Sequence, residues 1–126
     1  MKVMVISAMK YDNDFWNAVD LIVSSGKIVI DRPKGSVHPR FSNIVYCLDY
    51  GYIENTSSMD GGGIDVWKGT LTDNKVNALI CTVDLFKKDS EIKLLIGCTD
   101  EEINTVYEFH NSTEYMKGIL VRRDDE

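Results

Sequence analysis

YCLDYGYIENTSSMDGGGID, residues 46–65, is the stretch of this chain richest in chemically useful side chains. Asn43 to Ile53 is dense in β-branched and aromatic residues, and so is Ile64 to Thr70, so two strands are expected with Gly61, Gly62 and Gly63 in the connecting loop. Three consecutive glycines remove the steric bulk between Asp60 and Asp65 and let the two carboxylates converge. Two carboxylates ~5 Å apart repel by about 3 kcal/mol at an effective dielectric near 20, so a converged pair wants a proton or a cation. Hard oxygen ligands with room for water suit magnesium. The plainer alternative is a turn at Asp60-Gly61 and a solvated Asp65 on the following strand.

Working outward, Val3 to Met9 reads as a short apolar strand. Asp12-Asn13-Asp14 then offers caps to a helix with Phe15, Val19, Ile22 and Val23 on one face, ending at Ser25-Gly26. Lys27 to Asp31 reads as a buried strand, and the segment from Arg32 to Ser42, which holds both prolines, as a loop. Lys75 to Phe86 and Glu91 to Ile96 form a strand pair, with Lys87, Lys88 and Asp89 as a solvated hairpin tip. Thr99-Asp100-Glu101-Glu102 is a capping box that starts a helix, Lys117 to Arg122 is a last strand, and Arg123 to Glu126 a solvated tail. The expectation is one α+β, mainly β domain over 1–126, a small barrel or strongly curved sheet with two flanking helices, residues 1–26 packing on it as strand and helix.

With 126 residues, 44% of them hydrophobic and 27% charged, the chain can bury a self-sufficient core. Its net charge of −6 disfavours binding to a phosphate backbone through overall charge. The cysteines Cys47, Cys81 and Cys98 form no CxxC pair and are odd in number, which fits reduced thiols in a cytoplasmic protein. No stretch approaches the ~20 apolar residues that span a bilayer, so no membrane role is expected. His38 and His110 read as a loop residue and a helix-face residue. Trp16 and Trp67 read as core or subunit-contact residues.

Tyr46, Asp49-Tyr50-Gly51-Tyr52-Ile53, Asn55-Thr56 and Asp60-Gly61-x-x-Ile64-Asp65 together resemble the signature of the family I soluble inorganic pyrophosphatases, which reads Y-P-x-N-Y-G-Y-I-P-x-T followed by D-G-D-P-hydrophobic-D. Ile30-Asp31-Arg32 is similar to the family's apolar-Asp-Arg element, and Glu91-Ile92-Lys93 to its Asp-x-Lys strand. The resemblance covers residues 27 to 111 and implies an OB-like barrel holding magnesium ions and pyrophosphate at its mouth. It further implies hydrolysis of pyrophosphate to two phosphates by a metal-activated water. Asp60 and Asp65 match metal-binding aspartates, and Glu91 stands where the family has a third. Tyr50 matches a tyrosine near the attacking water, so Asp60, Asp65 and Tyr50 are the expected catalytic residues. Arg32 and Lys93 match phosphate-binding cations, and Lys34, Arg40 or His38 in the longer loop can add to them. A homo-oligomer is also implied, with Tyr11, Phe15 and Trp16 as a contact surface.

The departures from the pattern are specific. The middle aspartate of D-G-D is Gly62 here and the proline after it is Gly63, so a carboxylate expected near the attacking water is missing, with Asp49 or Glu91 as substitutes. The N-terminal glutamate and lysine of the family find no match. The Tyr-Lys pair of its last helix is His110-Asn111, unless Tyr115 and Lys117 replace it. Two competing functions follow. One is a catalytically impaired relative that binds phosphate and metal. The other is an OB-like single-strand nucleic-acid binder stacking bases on Tyr46, Tyr50, Tyr52 and Trp67, which the charge of −6 opposes.

Overall fold

Ile28, Val29 and Ile30 open the first of six strands, and their β-branched side chains suit a pleated, half-buried surface. The computed structural model describes residues 2–58 and 60–123, residues 2–10 as backbone alone. In chain order these form α1 (Lys2–Ser24), β1 (Ile28–Arg32), β2 (Asp49–Ile53), β3 (Ile64–Lys68), β4 (Val76–Asp84), β5 (Asp89–Ile96), α2 (Asp100–Asn111) and β6 (Met116–Arg122). The strands make one mixed sheet in the order β1-β2-β3-β5-β4-β6, antiparallel except for the β3/β5 pair. The ladder ends at β1 and β6, so the mainly-β fold with two helices is an open sheet and not a closed barrel.

The pleat divides the core. Trp67, Leu95, Ile80 and Ala78 face α2, where Ile103 and Val106 complete a buried cluster with Tyr46 and Leu48. Val66, Leu94, Leu79 and Ile96 face the other way and pack with Trp16 and Val23 of α1. Gly51 is required where β1 crosses β2, because a Cβ there would collide with the Val29 carbonyl oxygen. The capping box is present: Thr99 Oγ1 accepts from the Glu102 N–H at 3.2 Å while Glu102 Oε1 accepts from the Thr99 N–H at 2.9 Å.

Two local expectations are corrected. Residues 2–24 form one helix of 23 residues, so there is no strand over Val3 to Met9. No glycine or proline lies before Gly26, and an apolar run of that length does not by itself distinguish strand from buried helix. Arg123 does not belong to a solvated tail: its guanidinium donates to both carboxylate oxygens of Asp20 at 3.0 and 2.9 Å and lies over the Trp16 ring, tying the end of β6 to α1. Residues 124–126 of that expected tail lie outside the described residues. Among the described residues no helix is long and apolar enough to cross a membrane.

Candidate active site

Strand alternation puts a set of polar side chains on the α2 face of the sheet. Tyr50 pairs with Trp67 and Tyr52 with Asp65, while Val66 opposite Leu94 places Asp65 one step from Lys93 across the parallel pair. Glu91 and Lys93 are two apart on β5 and share a face. The outcome is a nearly buried ammonium: Lys93 Nζ donates to Tyr50 Oη at 2.8 Å, Asp65 Oδ2 at 2.9 Å and Glu91 Oε1 at 3.0 Å. Burial opposes the charge of Lys93, but the Tyr50 oxygen and the Asp65 carboxylate outweigh it and hold the pKa above the ordinary lysine value. Burial pushes the Tyr50 phenol up, so it stays neutral, accepting from Lys93 and bonding Asp65.

The expected phosphate-binding cation Lys93 is held here by protein oxygens. An ammonium has three hydrogens and all three are engaged, which leaves none for a phosphate oxygen.

Asp60 sits at the outer edge of the cluster. Gly61, at φ 85°, turns the chain in a left-handed conformation, and Asp60 Oδ1 accepts from Ser58 Oγ at 2.7 Å and from the Gly62 N–H at 2.9 Å. Those two donors hold the Asp60 carboxyl below its ordinary pKa, helped by a hydrogen bond with Glu91. Glu91 is shifted the opposite way by burial, which outweighs the pull of Lys93. The two therefore form an unequal pair, with Asp60 ionised and Glu91 holding its proton to higher pH. Ser58 was missed by the sequence reading. A serine two residues before an aspartate is the signal of a side-chain turn that could have revealed it.

Arg32 Nη1 donates to Tyr46 Oη at 2.6 Å, and its guanidinium lies 5.6 Å from the centre of that ring. Arg40 is in the neighbouring loop, where its N–H donates to His38 Nδ1 at 3.0 Å. Lys34 lies toward Cys47, and its N–H donates to Asp49 Oδ1 at 2.8 Å. Asp49 thus serves the turn at Pro33 and does not stand in for the carboxylate missing at Gly62. His110 belongs to the core: Nε2 accepts from Trp67 Nε1 at 2.9 Å, and burial pushes its pKa down to about 3. Cys47 and Cys98 are pushed up by burial to about 11 and about 12, so both remain thiols at neutral pH. With Trp67 fully buried and Tyr46 nearly so, neither is a stacking platform for a nucleic-acid base.

The three-carboxylate cradle expected from Asp60, Asp65 and Glu91 is not assembled here, because the Lys93 ammonium stands between Asp65 and Glu91. Among the described residues no group of three His, Cys, Asp or Glu side chains is placed to hold a metal ion. Asp60 and Glu91, near enough to act on one another, do fit the way magnesium is ordinarily held, by one or two carboxylates with waters and substrate phosphates.

No protein-family model matches the chain, and no curated protein matches it. Among solved structures it is similar to the inorganic pyrophosphatase of Helicobacter pylori, with a TM-score of 0.55 and 12% identity over 76% of this chain and 83% of that one. An inorganic pyrophosphatase of Neisseria gonorrhoeae matches at 18% identity over 81% of this chain and 78% of that one, with a TM-score of 0.49. The fold of this chain is pyrophosphatase-like.

Proposed function

We propose that this protein hydrolyses a phosphoanhydride, inorganic pyrophosphate in the first instance, to two phosphates with magnesium as cofactor. The observation that carries the reading is the unequal Asp60–Glu91 carboxyl pair beside the Lys93 ammonium, with Arg32 on β1 opposite Tyr50. Asp60 and Glu91 would hold the metal, which when bound neutralises phosphate oxygens and lowers the pKa of the attacking water. Arg32 binds one phosphate through its fork of N–H groups. Asp60 takes the proton from the water and passes it to solvent, from which the departing phosphate takes its own. Lys93 and Tyr50 are positioning residues that fix Glu91 and Asp65.

A homo-oligomer remains part of this reading, supported by Tyr11 and Phe15 exposed on α1. Trp16 is buried against the sheet and has no place in such a contact. The second reading is a phosphate-binding relative without turnover, favoured by Gly62, where the family pattern has a carboxylate.

The kinetics of two variants test the proposal. Asp60→Asn is expected to lower kcat for pyrophosphate about 10²-fold or more, while Arg32→Ala chiefly raises KM. If both turn over pyrophosphate like the unmodified protein, the proposed machinery is wrong.

A further inference from the structure

Three segments far apart in the chain bring aromatic rings together outside the carboxylate cluster. His38 stacks on Tyr46 with ring centres 6.2 Å apart and planes 8° from parallel. Phe41 meets His38 at 5.2 Å, Phe86 meets Phe41 at 6.3 Å, and Tyr115 meets Phe86 at 6.3 Å. The inner end of this row is the Tyr46 ring that Arg32 touches, whereas Phe41, Phe86 and Tyr115 are 41%, 63% and 56% exposed.

The row is held in place. His38 Nδ1 accepts from the N–H groups of Arg40 and Phe41 at 3.0 and 3.3 Å, fixing the ring. At the β4–β5 turn, Asp84 Oδ1 accepts from the N–H groups of Phe86 and Lys87 at 2.9 and 3.0 Å. The Leu85 N–H donates to the Tyr115 carbonyl at 2.8 Å, binding that turn to the segment before β6. The hairpin tip, with Lys87 and Lys88 exposed as expected, is also a built turn that carries the Phe86 ring.

Cations gather beside these rings in a chain whose net charge is −6. Arg32, Lys87 and Arg40 all lie close enough to act electrostatically on His38, and Lys87 acts on Asp60 as well. Inorganic pyrophosphate has no apolar part to place on a row of rings. A phosphoanhydride carrying a flat heterocycle has one, and bases stack on aromatic side chains whatever their sequence.

We propose that His38, Phe41, Phe86 and Tyr115, flanked by Arg32, Arg40 and Lys87, seat the nucleoside of a nucleoside diphosphate, which is pyrophosphate esterified at one end. The proposal rests on the phosphoanhydride reading above and narrows its substrate. With the base on the rings, the esterified phosphate meets Arg32 and Arg40 and the terminal phosphate points toward Asp60. The water oxygen forms a bond to the terminal phosphorus as the bond from that phosphorus to the bridging oxygen breaks. The bridging oxygen leaves with the nucleoside monophosphate, inorganic phosphate is the second product, and the water's proton passes through Asp60 to solvent.

Equilibrium binding and phosphate release, measured with adenosine diphosphate and with pyrophosphate on the unmodified protein, Phe86→Ala and Phe41→Ala, test the proposal. Both substrates should bind and be cleaved, and each variant should weaken adenosine diphosphate binding about 10-fold while leaving pyrophosphate affinity and turnover unchanged. Cleavage of pyrophosphate without binding of adenosine diphosphate overturns the nucleoside seat and leaves the proposed function standing. Ring-dependent binding of adenosine diphosphate without cleavage of either compound supports the seat and removes the hydrolysis. Equal weakening of both ligands in each variant, or tighter binding of an oligonucleotide than of adenosine diphosphate, overturns the seat.

Discussion

Lys93 concentrates the electrostatics of the site, since one ammonium with 5% of its surface exposed donates to Asp65, Glu91 and Tyr50 together. Removing one partner of a buried ion pair leaves the other charge uncompensated, which is costlier than the pair is stabilising. Lys93→Met is therefore expected to destabilise the protein by about 3–5 kcal/mol at neutral pH. Saturating magnesium should restore part of the loss, because a cation then replaces the ammonium between the carboxylates. Chemical denaturation with and without magnesium checks this, and a variant as stable as the unmodified protein contradicts the ion cluster. Gly62 is the second informative residue. A Cβ there meets only Asp60 Oδ1, at 3.3 Å, and its φ is not in the left-handed region, so a side chain fits if the exposed Asp60 carboxylate gives slightly. Gly62→Asp is predicted to tighten magnesium binding and raise turnover of pyrophosphate, with Gly62→Asn as the control for shape without charge. A folded Gly62→Asp that gains neither removes this position from the reaction centre. The resemblance to the family pattern singled out Asp60, Asp65, Tyr50, Arg32 and Lys93, of which the structure brings Asp65, Tyr50 and Lys93 into contact. It did not disclose that Lys93 spends all its hydrogens on protein oxygens, because that depends on the β3/β5 register.

At the scale of elements, α2 was readable from Thr99 and Glu102 alone, since a capping box is a local signal that needs no tertiary information. Thr99→Ala should cost about 1 kcal/mol, measured by thermal or chemical unfolding, and an unchanged midpoint would show that this cap does not stabilise the helix. The hairpin of β4 and β5 was readable for the same reason, with apolar-rich strands on either side of a short turn holding Lys87 and Lys88. α1 was misjudged at its start, where an apolar run with no breaker suits either periodicity and packing decides. The long strand expected from Asn43 was shortened to begin at Asp49, because Tyr46 and Leu48 are drawn into the core beneath α2 while Val45 makes only an isolated bridge to Val37.

For the whole molecule, the sheet separates two cores, and the polar cluster lies on the face that also buries His110. A neutral imidazole accepting from the Trp67 indole keeps its proton on Nδ1, which faces the Met116 sulfur at 3.1 Å. The pKa of His110 is lowered to about 3 in the fold, from an ordinary value near 6.5 in the unfolded chain. The stability this contributes is full above the unfolded value and is lost as pH falls toward the folded one. Below about pH 6.5 the unfolded state takes up a proton that the fold refuses, so His110 should lower stability by about 1.4 kcal/mol per pH unit down to about pH 3. Denaturant midpoints across that range check the slope. His110→Gln, which keeps an acceptor for Trp67, should flatten it, and an unaltered slope would locate the acid sensitivity elsewhere.

The most direct measurement on the central claim is phosphate release from inorganic pyrophosphate by the purified, unmodified chain, in saturating magnesium and in the presence of a chelator. The account predicts release that requires magnesium and falls about 10²-fold or more in Asp60→Asn. A protein with a cooperative melting transition that releases no phosphate above the buffer rate in magnesium contradicts it.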